Sequence, residues 1–325
     1  MPIVEFNHVR KVYDTKVAVH DLSFCIERGT MFGLLGPNGS GKTSSIRMMT
    51  GMTAPDSGTI SLFGKPYSRS VLCRIGYLPE ERGLYKKMNV LDQLIFLGRL
   101  HGMSTSEAEQ RSRTLCEKLK ITEAIPKKTE DLSKGMQQKI QFIASVLHDP
   151  DLIIMDEPFS GLDPVNAALL MDTLVEFRAM GKTILFSTHR MDQVEKLCDY
   201  IALIHRGHLV LSGSMQQIKS AYPHNRVEIV FEGSSRFLNH PAIESLQLYP
   251  GRAEIILRPS RTLAEDTQSL LQLAVEDARV TRFNVTEPTL EQIFIDKVQE
   301  TSPTHEAQDL SAAEIEELKE DAVDA

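Results

Sequence analysis

The chain opens with short runs in which apolar or β-branched residues alternate with polar ones. Ile3–Val12, Val17–Ile26 and Thr59–Phe63 are such runs, separated by turn formers, and each reads as a strand of an N-terminal sheet. Thr30–Leu35 is a compact apolar strand, and Lys42–Thr50 reads as the helix behind it. From Glu80 to about Leu147 the period lengthens to that of helices: Val90, Leu91, Leu94, Ile95 and Leu97 recur on one face, as do Leu115 and Leu119. Strands return at Leu152–Met155, Thr183–Ser187 and Ile201–Ile204, with a helix predicted over Ala167–Met180. This alternation predicts an α/β fold, a parallel sheet covered by helices. Around Tyr222-Pro223-His224-Asn225 the texture changes. Strands are expected at Val227–Phe231, Ala253–Leu257 and Val280–Val285, and helices at Thr262–Val275 and Thr289–Val298, which makes a small α+β appendage.

The expected organisation is therefore a domain over residues 1–221 with a helical subdomain at about 80–147, an accessory α+β domain over 222–300, and an acidic tail over 301–325. In the tail Glu306, Asp309, Glu314, Glu316, Glu317, Glu320, Asp321 and Asp324 face only Lys319, the composition of a solvated, disordered segment. Ser311 and Glu314 have the spacing of a capping box for one short helix.

Composition narrows the function. Of 325 residues 42% are hydrophobic and 25% charged, an ordinary globular balance. No apolar run approaches the roughly 18–20 residues that cross a bilayer. No secretory signal is expected at Met1-Pro2-Ile3-Val4-Glu5. A role in a membrane process would thus require docking onto another chain. Cys25, Cys73, Cys116 and Cys198 are scattered, which suits reduced thiols in a cytosolic protein better than a disulfide frame or zinc site. The net charge of −8 argues against nucleic acid as the main partner.

Three motifs carry chemistry. Gly36-Pro37-Asn38-Gly39-Ser40-Gly41-Lys42-Thr43, followed by Ser44, matches the phosphate-cradling loop between a strand and a helix. Its glycines let backbone N–H groups converge on phosphate oxygens at a helix start. Lys42 is expected to neutralise the β- and γ-phosphates, and the Thr43 hydroxyl to ligate Mg²⁺. Asp156 and Glu157 end an apolar strand at the carboxyl edge of the sheet, where α/β sheets bind ligands. Asp156 is expected to hold Mg²⁺ and Glu157 to polarise the attacking water. Between these two motifs lies Leu132-Ser133-Lys134-Gly135-Met136-Gln137-Gln138-Lys139.

In this order the three motifs resemble the ATP-binding cassette (ABC) family of transport ATPases. The resemblance implies a P-loop ABC ATPase core: a mixed sheet with flanking helices, an antiparallel N-terminal β part and a helical subdomain. It implies ATP and Mg²⁺ as cofactors and Glu157 as the catalytic glutamate. It further implies a D-loop at Ser160-Gly161-Leu162-Asp163-Pro164 and a switch histidine, His189, that senses the γ-phosphate. Tyr13, near a strand end, stands where the family stacks an aromatic on adenine. The signature departs from the family's L-S-G-G-Q, with Lys134 and Met136 in place of a glycine and the glutamine. Ser133 and Gly135 are kept, and with Asp163 they are the expected contacts to ATP across a dimer. Glu80 stands where the family has a metal-contacting glutamine; a carboxylate ligates a cation but donates no hydrogen bond unless protonated. Glu81-Arg82-Gly83-Leu84-Tyr85 and the whole Leu132–Lys139 stretch look like the subgroup related to bacterial sodium and drug exporters, and Pro288-Thr289-Leu290-Glu291-Gln292-Ile293-Phe294 resembles the end of the small C-terminal region found there.

The implied function is the ATPase subunit of an exporter, cytoplasmic and peripheral on the inner face of the cell membrane. It would work as a homodimer, or as a heterodimer with a second ABC ATPase, and drive an integral membrane permease through the region around Glu80–Leu100. Import and the cargo's identity stay open. A soluble cassette ATPase acting on nucleic acid or ribosomes fits less well: the chain has one cassette and no long heptad run. A nonhydrolytic ATP-gated module is disfavoured by the intact Glu157 and His189.

Overall fold

The computed structural model describes residues 2–81, 83–222, 225–258 and 263–301. The acidic tail and its capping box lie outside the described residues. The chain divides into two compact units: the first runs to Met215 and resumes at Lys297, and the second is Gln216–Asp296.

In the first unit nine strands form one sheet: β1 (Val4–Tyr13), β2 (Lys16–Ile26), β3 (Met31–Leu35), β4 (Ser57–Leu62), β5 (Ile75–Leu78), β6 (Leu152–Asp156), β7 (Thr183–Thr188), β8 (Tyr200–His205) and β9 (His208–Ser214). Their order is β4-β1-β2-β9-β8-β3-β7-β6-β5. The β1–β2 hairpin and β4 pair antiparallel, whereas β5, β6, β7, β3 and β8 run parallel. Every residue of β3, β6 and β7 is buried, as expected of strands covered on both faces. The helices are α1 (Lys42–Met49), α2 (Arg69–Leu72), α3 (Val90–Leu100), α4 (Thr105–Lys118), α5 (Lys134–Val146), α6 (Pro164–Ala179), α7 (Met191–Leu197) and α8 (Met215–Ser220). The last of these starts at Met215, where this stretch of the first unit ends, and its other residues belong to the second.

Two expectations need correction. The helical stretch does not begin at Glu80, because residues 83–85 are irregular and α3 starts only at Val90. Pro79 and Gly83 disfavour helix there, and the backbone bonds instead to a distant loop, with Glu130 N–H donating to the Lys86 carbonyl and Val90 N–H to that of Lys127. Helix α6 starts at Pro164 rather than Ala167. Proline suits the first helical position, and Asp163 caps it by accepting from the N–H groups of Val165 and Asn166 at 3.1 and 3.0 Å.

The second unit holds β10 (Arg226–Gly233), β11 (Ile243–Tyr249), β12 (Arg252–Leu257) and β13 (Ala278–Thr286), all antiparallel in the order β11-β12-β10-β13, with α9 (Leu263–Asp277) and the part of α10 (Leu290–Thr301) that runs to Asp296. Alternate residues Val227, Ile229 and Phe231 of β10, with Ala253, Ile255 and Leu257 of β12, pack with Leu270 and Ala274 of α9. Period two on the strands thus builds one apolar face for the helix.

A histidine pair in the first unit links packing to pH. His148 Nε2 is 3.1 Å from the Ile75 carbonyl, so it carries the proton and donates, while Nδ1 is buried without a hydrogen-bond partner among the described residues. The ring stacks on His101 at 3.7 Å between centroids. Burial, reinforced by His101, lowers the His148 pKa from 6.5 to about 4. The folded protein therefore keeps His148 neutral where the unfolded chain would protonate it. This contribution to stability is complete above about pH 6.5 and is lost as pH falls toward 4. The melting temperature should drop across that window, and His148→Gln should make the drop shallower in calorimetric melts recorded against pH.

Candidate functional site

The site begins where β3 ends. Gly36 has φ 148°, Gly39 φ 75° and Gly41 φ 113°, and this sequence of positive values turns the backbone around a concave loop before α1. Asn38 and Gly39 lie exposed at its crest, Pro37 is half-buried, and Ser40 is buried. Thr43 and Ser44 stand half-buried in the first turn of α1, whose N-terminal end favours anions. The loop is pinned from outside by the Gly207 N–H, which donates to the Ser40 carbonyl at 2.9 Å.

Lys42 folds back over this loop. Its ammonium donates to the Gly36 carbonyl at 2.6 Å and to that of Pro37 at 3.2 Å. Burial pulls its pKa below the usual lysine range, and Glu157, Asp156 and Glu80 oppose that shift. The same Nζ lies 4.0 Å from Glu157 Oε1. Three carboxylates from two distant stretches of chain thus act on one buried cation.

Strand register explains why they meet. Asp156 pairs with Ser187, Leu78 with Met155, and Leu35 with Thr188, so β5, β6, β7 and β3 end almost level. Glu157 follows β6 with φ 48°, an unusual value for a residue with a side chain. Its N–H donates to the Ser187 carbonyl and Oγ, both at 3.2 Å, and its Oε1 is 3.0 Å from His189 Nδ1. With Glu157 ionised, Nδ1 carries the proton. The Ser187 hydroxyl in turn donates to Asp156 Oδ1.

Among the described residues, two buried polar atoms here lack a hydrogen-bond partner: Ser40 Oγ and Asp156 Oδ2. A buried carboxylate oxygen left unpaired is costly, and a carboxylate such as Asp156 and a hydroxyl such as that of Thr43 are the hard oxygen donors that suit Mg²⁺. These residues fit a nucleotide accompanied by that ion.

The structure therefore brings Lys42, Asp156, Glu157 and His189 together and gives Glu80, itself exposed, an electrostatic role beside them. It engages the other predicted residues differently. Ser133 caps α5 by accepting from the Met136 N–H at 3.2 Å, and a Cβ on Gly135 would lie 3.6 Å from Leu162. Asp163 is occupied with its helix cap. Tyr13 ends β1, with the Lys11 ammonium 5.3 Å from its ring centroid and a buried, unpartnered hydroxyl. Sequence reasoning missed Ser187, Gln138 and Gln141. Gln141 Nε2 donates to the Pro79 and Glu81 carbonyls at 3.0 and 2.9 Å, and Gln138 Nε2 to that of Pro158 at 3.1 Å. Each lies within or just beyond a motif, yet its partner is set by tertiary pairing.

Two domain families match the chain: "ABC transporter" over residues 19–160, and "ATP-binding protein DrrA1-3-like, C-terminal domain" over residues 213–298. The uncharacterized ABC transporter ATP-binding protein YhaQ of Bacillus subtilis is 42% identical over 91% of this chain and 98% of its own length. The Nod factor export ATP-binding protein I of Burkholderia lata is 37% identical over 66% of this chain and 72% of its own. The solved structure of cbiO1 from Clostridium perfringens, described as part of the ABC transporter complex cbiONQ, superposes with a TM-score of 0.60 at 27% identity, covering 67% of this chain and 91% of that one.

The loop geometry makes a graded prediction. A Cβ at Gly36 would sit 2.1 Å from the Ile204 carbonyl oxygen, whereas one at Gly39 meets nothing within 4 Å. Gly36→Ala should cost about 3 kcal/mol or more and abolish nucleotide binding. Gly39→Ala should cost only the left-handed backbone penalty, about 1–2 kcal/mol. Chemical denaturation and nucleotide titration of the two variants check the ranking.

Proposed function

Because the chain belongs to the ATP-binding proteins of ABC transporters, we propose that it drives export through a separate permease by clamping ATP between two ATPase subunits. As a member of that family it is an ATP-binding subunit whose hydrolysis is coupled to transport. The observation that carries the catalytic part is the Lys42–Glu157–His189 cluster at the level strand ends, with distances of 4.0 and 3.0 Å. In this reading the loop from Gly36 to Ser44 cradles the phosphates, and Thr43 and Asp156 hold Mg²⁺, which neutralises charge on the phosphate oxygens. Glu157 accepts the proton of the attacking water. His189 orients that carboxylate through Nδ1 and can donate to the transferred phosphoryl group from Nε2 when its ring is protonated.

Ser133, Gly135 and Asp163 would complete the site of a second subunit, a copy of this chain or a close relative. Once α5 is presented to a partner, its N-terminus favours the γ-phosphate bound there. Tyr13 would lie against the adenine with the face of its ring that Lys11 does not cover. Export is supported by the Nod factor export relatives. The exposed Tyr85 and Phe96, packed edge to face at 6.0 Å, and exposed Leu100 offer the permease an apolar patch on the helical subdomain. Since no helix among the described residues is long and apolar enough to cross a membrane, attachment to the inner face would run through that partner.

Glu157→Gln tests this reading. The variant should retain ATP, lose turnover by about 10²-fold or more, and elute as an ATP-dependent dimer in size-exclusion chromatography. Unimpaired phosphate release would remove Glu157 from the base role.

A further inference from the structure

We infer that Ser187 is a positioning residue, one that fixes which oxygen of Asp156 is presented to the divalent cation of the nucleotide. The inference rests on Asp156 being the metal ligand, as proposed above. Asp156 and Ser187 face each other across β6 and β7 and are 1% and 0% exposed, so no solvent competes for their polar atoms. The direction of each hydrogen bond is forced. The Glu157 N–H can only donate, so at 3.2 Å the Ser187 Oγ accepts from it. The one proton on that hydroxyl is then given to Asp156 Oδ1.

This arrangement has two consequences. Carboxylate groups turn readily about the bond to Cβ, and a donor bound to Oδ1 removes that freedom. It leaves Oδ2, the oxygen without a partner, as the fixed presenting atom. The same hydroxyl and the adjoining Ser187 carbonyl both hold the N–H of Glu157, whose φ of 48° needs support. One side chain therefore aims the cation-facing carboxylate and steadies the backbone of its neighbour. Groups that orient a metal ligand in this way typically change metal affinity or activity by about 10–100-fold when removed.

The test measures Mg²⁺ dependence without turnover. ADP affinity is titrated in EDTA and over a Mg²⁺ series for the parent chain, Ser187→Ala, Ser187→Cys, Asp156→Asn and the double variant Ser187→Ala/Asp156→Asn. Ser187→Ala should bind metal-free ADP within about twofold of the parent but need about tenfold more Mg²⁺ for half its effect. Excess Mg²⁺ should restore much of its ATPase rate. Ser187→Cys, which keeps the volume and a weak donor, should fall between the two. In the Asp156→Asn background Ser187→Ala should add nothing. Parental Mg²⁺ half-saturation in Ser187→Ala, or a full shift persisting without Asp156, overturns the inference. If Ser187→Ala does not fold, parental half-saturation in Ser187→Cys overturns it equally. An Asp156→Asn variant with unchanged Mg²⁺ dependence would sink the metal-ligand reading and this inference with it, whereas a failure confined to the Ser187 variants sinks this inference alone.

Discussion

Four parallel strands that end almost level are what the site depends on. Leu35, Leu78, Asp156 and Thr188 end β3, β5, β6 and β7, and the paired register of these strands leaves no freedom about where the next residues emerge. The glycine loop, Glu80, Glu157 and His189 are those next residues. A slip of one residue in a single strand would send its terminal side chain to the opposite face of the sheet. All the strand residues of β3, β6 and β7 are buried, so a slip would also expose apolar surface or bury a carboxylate without a partner. The apolar core therefore holds the polar site in register.

Helix α5 ties that edge to the signature motif. Its Ser133 end carries the expected contact to a second subunit, while Gln138 and Gln141, one to two turns on, bond to carbonyls on the segments that follow β6 and β5. The two Gln141 bonds bracket Glu80. Each bond to a neutral amide contributes about 1 kcal/mol, so together they resist separation without forbidding it. In the proposed dimer, a displacement of α5 by the partner would therefore reach both Glu80 and the stretch after Glu157 through the same helix. The route is mechanical and short.

The sequence made the glycine loop and the two carboxylates legible because their spacing answers to covalent geometry: a turn of fixed length, a helix start, a strand end. Most central strands were legible too, since burial on both faces writes them as short apolar runs. Strands β5, β9 and β11 were not anticipated. Ile75–Leu78 is four residues long with a glycine inside, His208–Ser214 ends in Ser-Gly-Ser, and Ile243–Tyr249 lies at a sheet edge where most of its side chains are exposed. Ser187 escaped for another reason. It stands two residues before His189 in plain view, but a serine in a buried strand says nothing until the strand beside it is known to place Asp156 opposite.

Charge explains why these residues suit a nucleotide with its cation better than a nucleotide alone. Lys42 is the buried cation of the cluster, and three carboxylates, Glu80, Asp156 and Glu157, act on it. Glu80 replaces a neutral amide expected from the family resemblance and so adds one negative charge to the cluster. A bare triphosphate approaching this edge would meet those carboxylates as well as the attraction of Lys42 and of the N-terminal end of α1. A divalent ion held beside Asp156, as proposed, would offset that surplus of negative charge and complete an oxygen that the fold leaves unpaired. In the proposed reading, the carboxylate at position 80 would couple anion binding to cation binding more tightly than a glutamine.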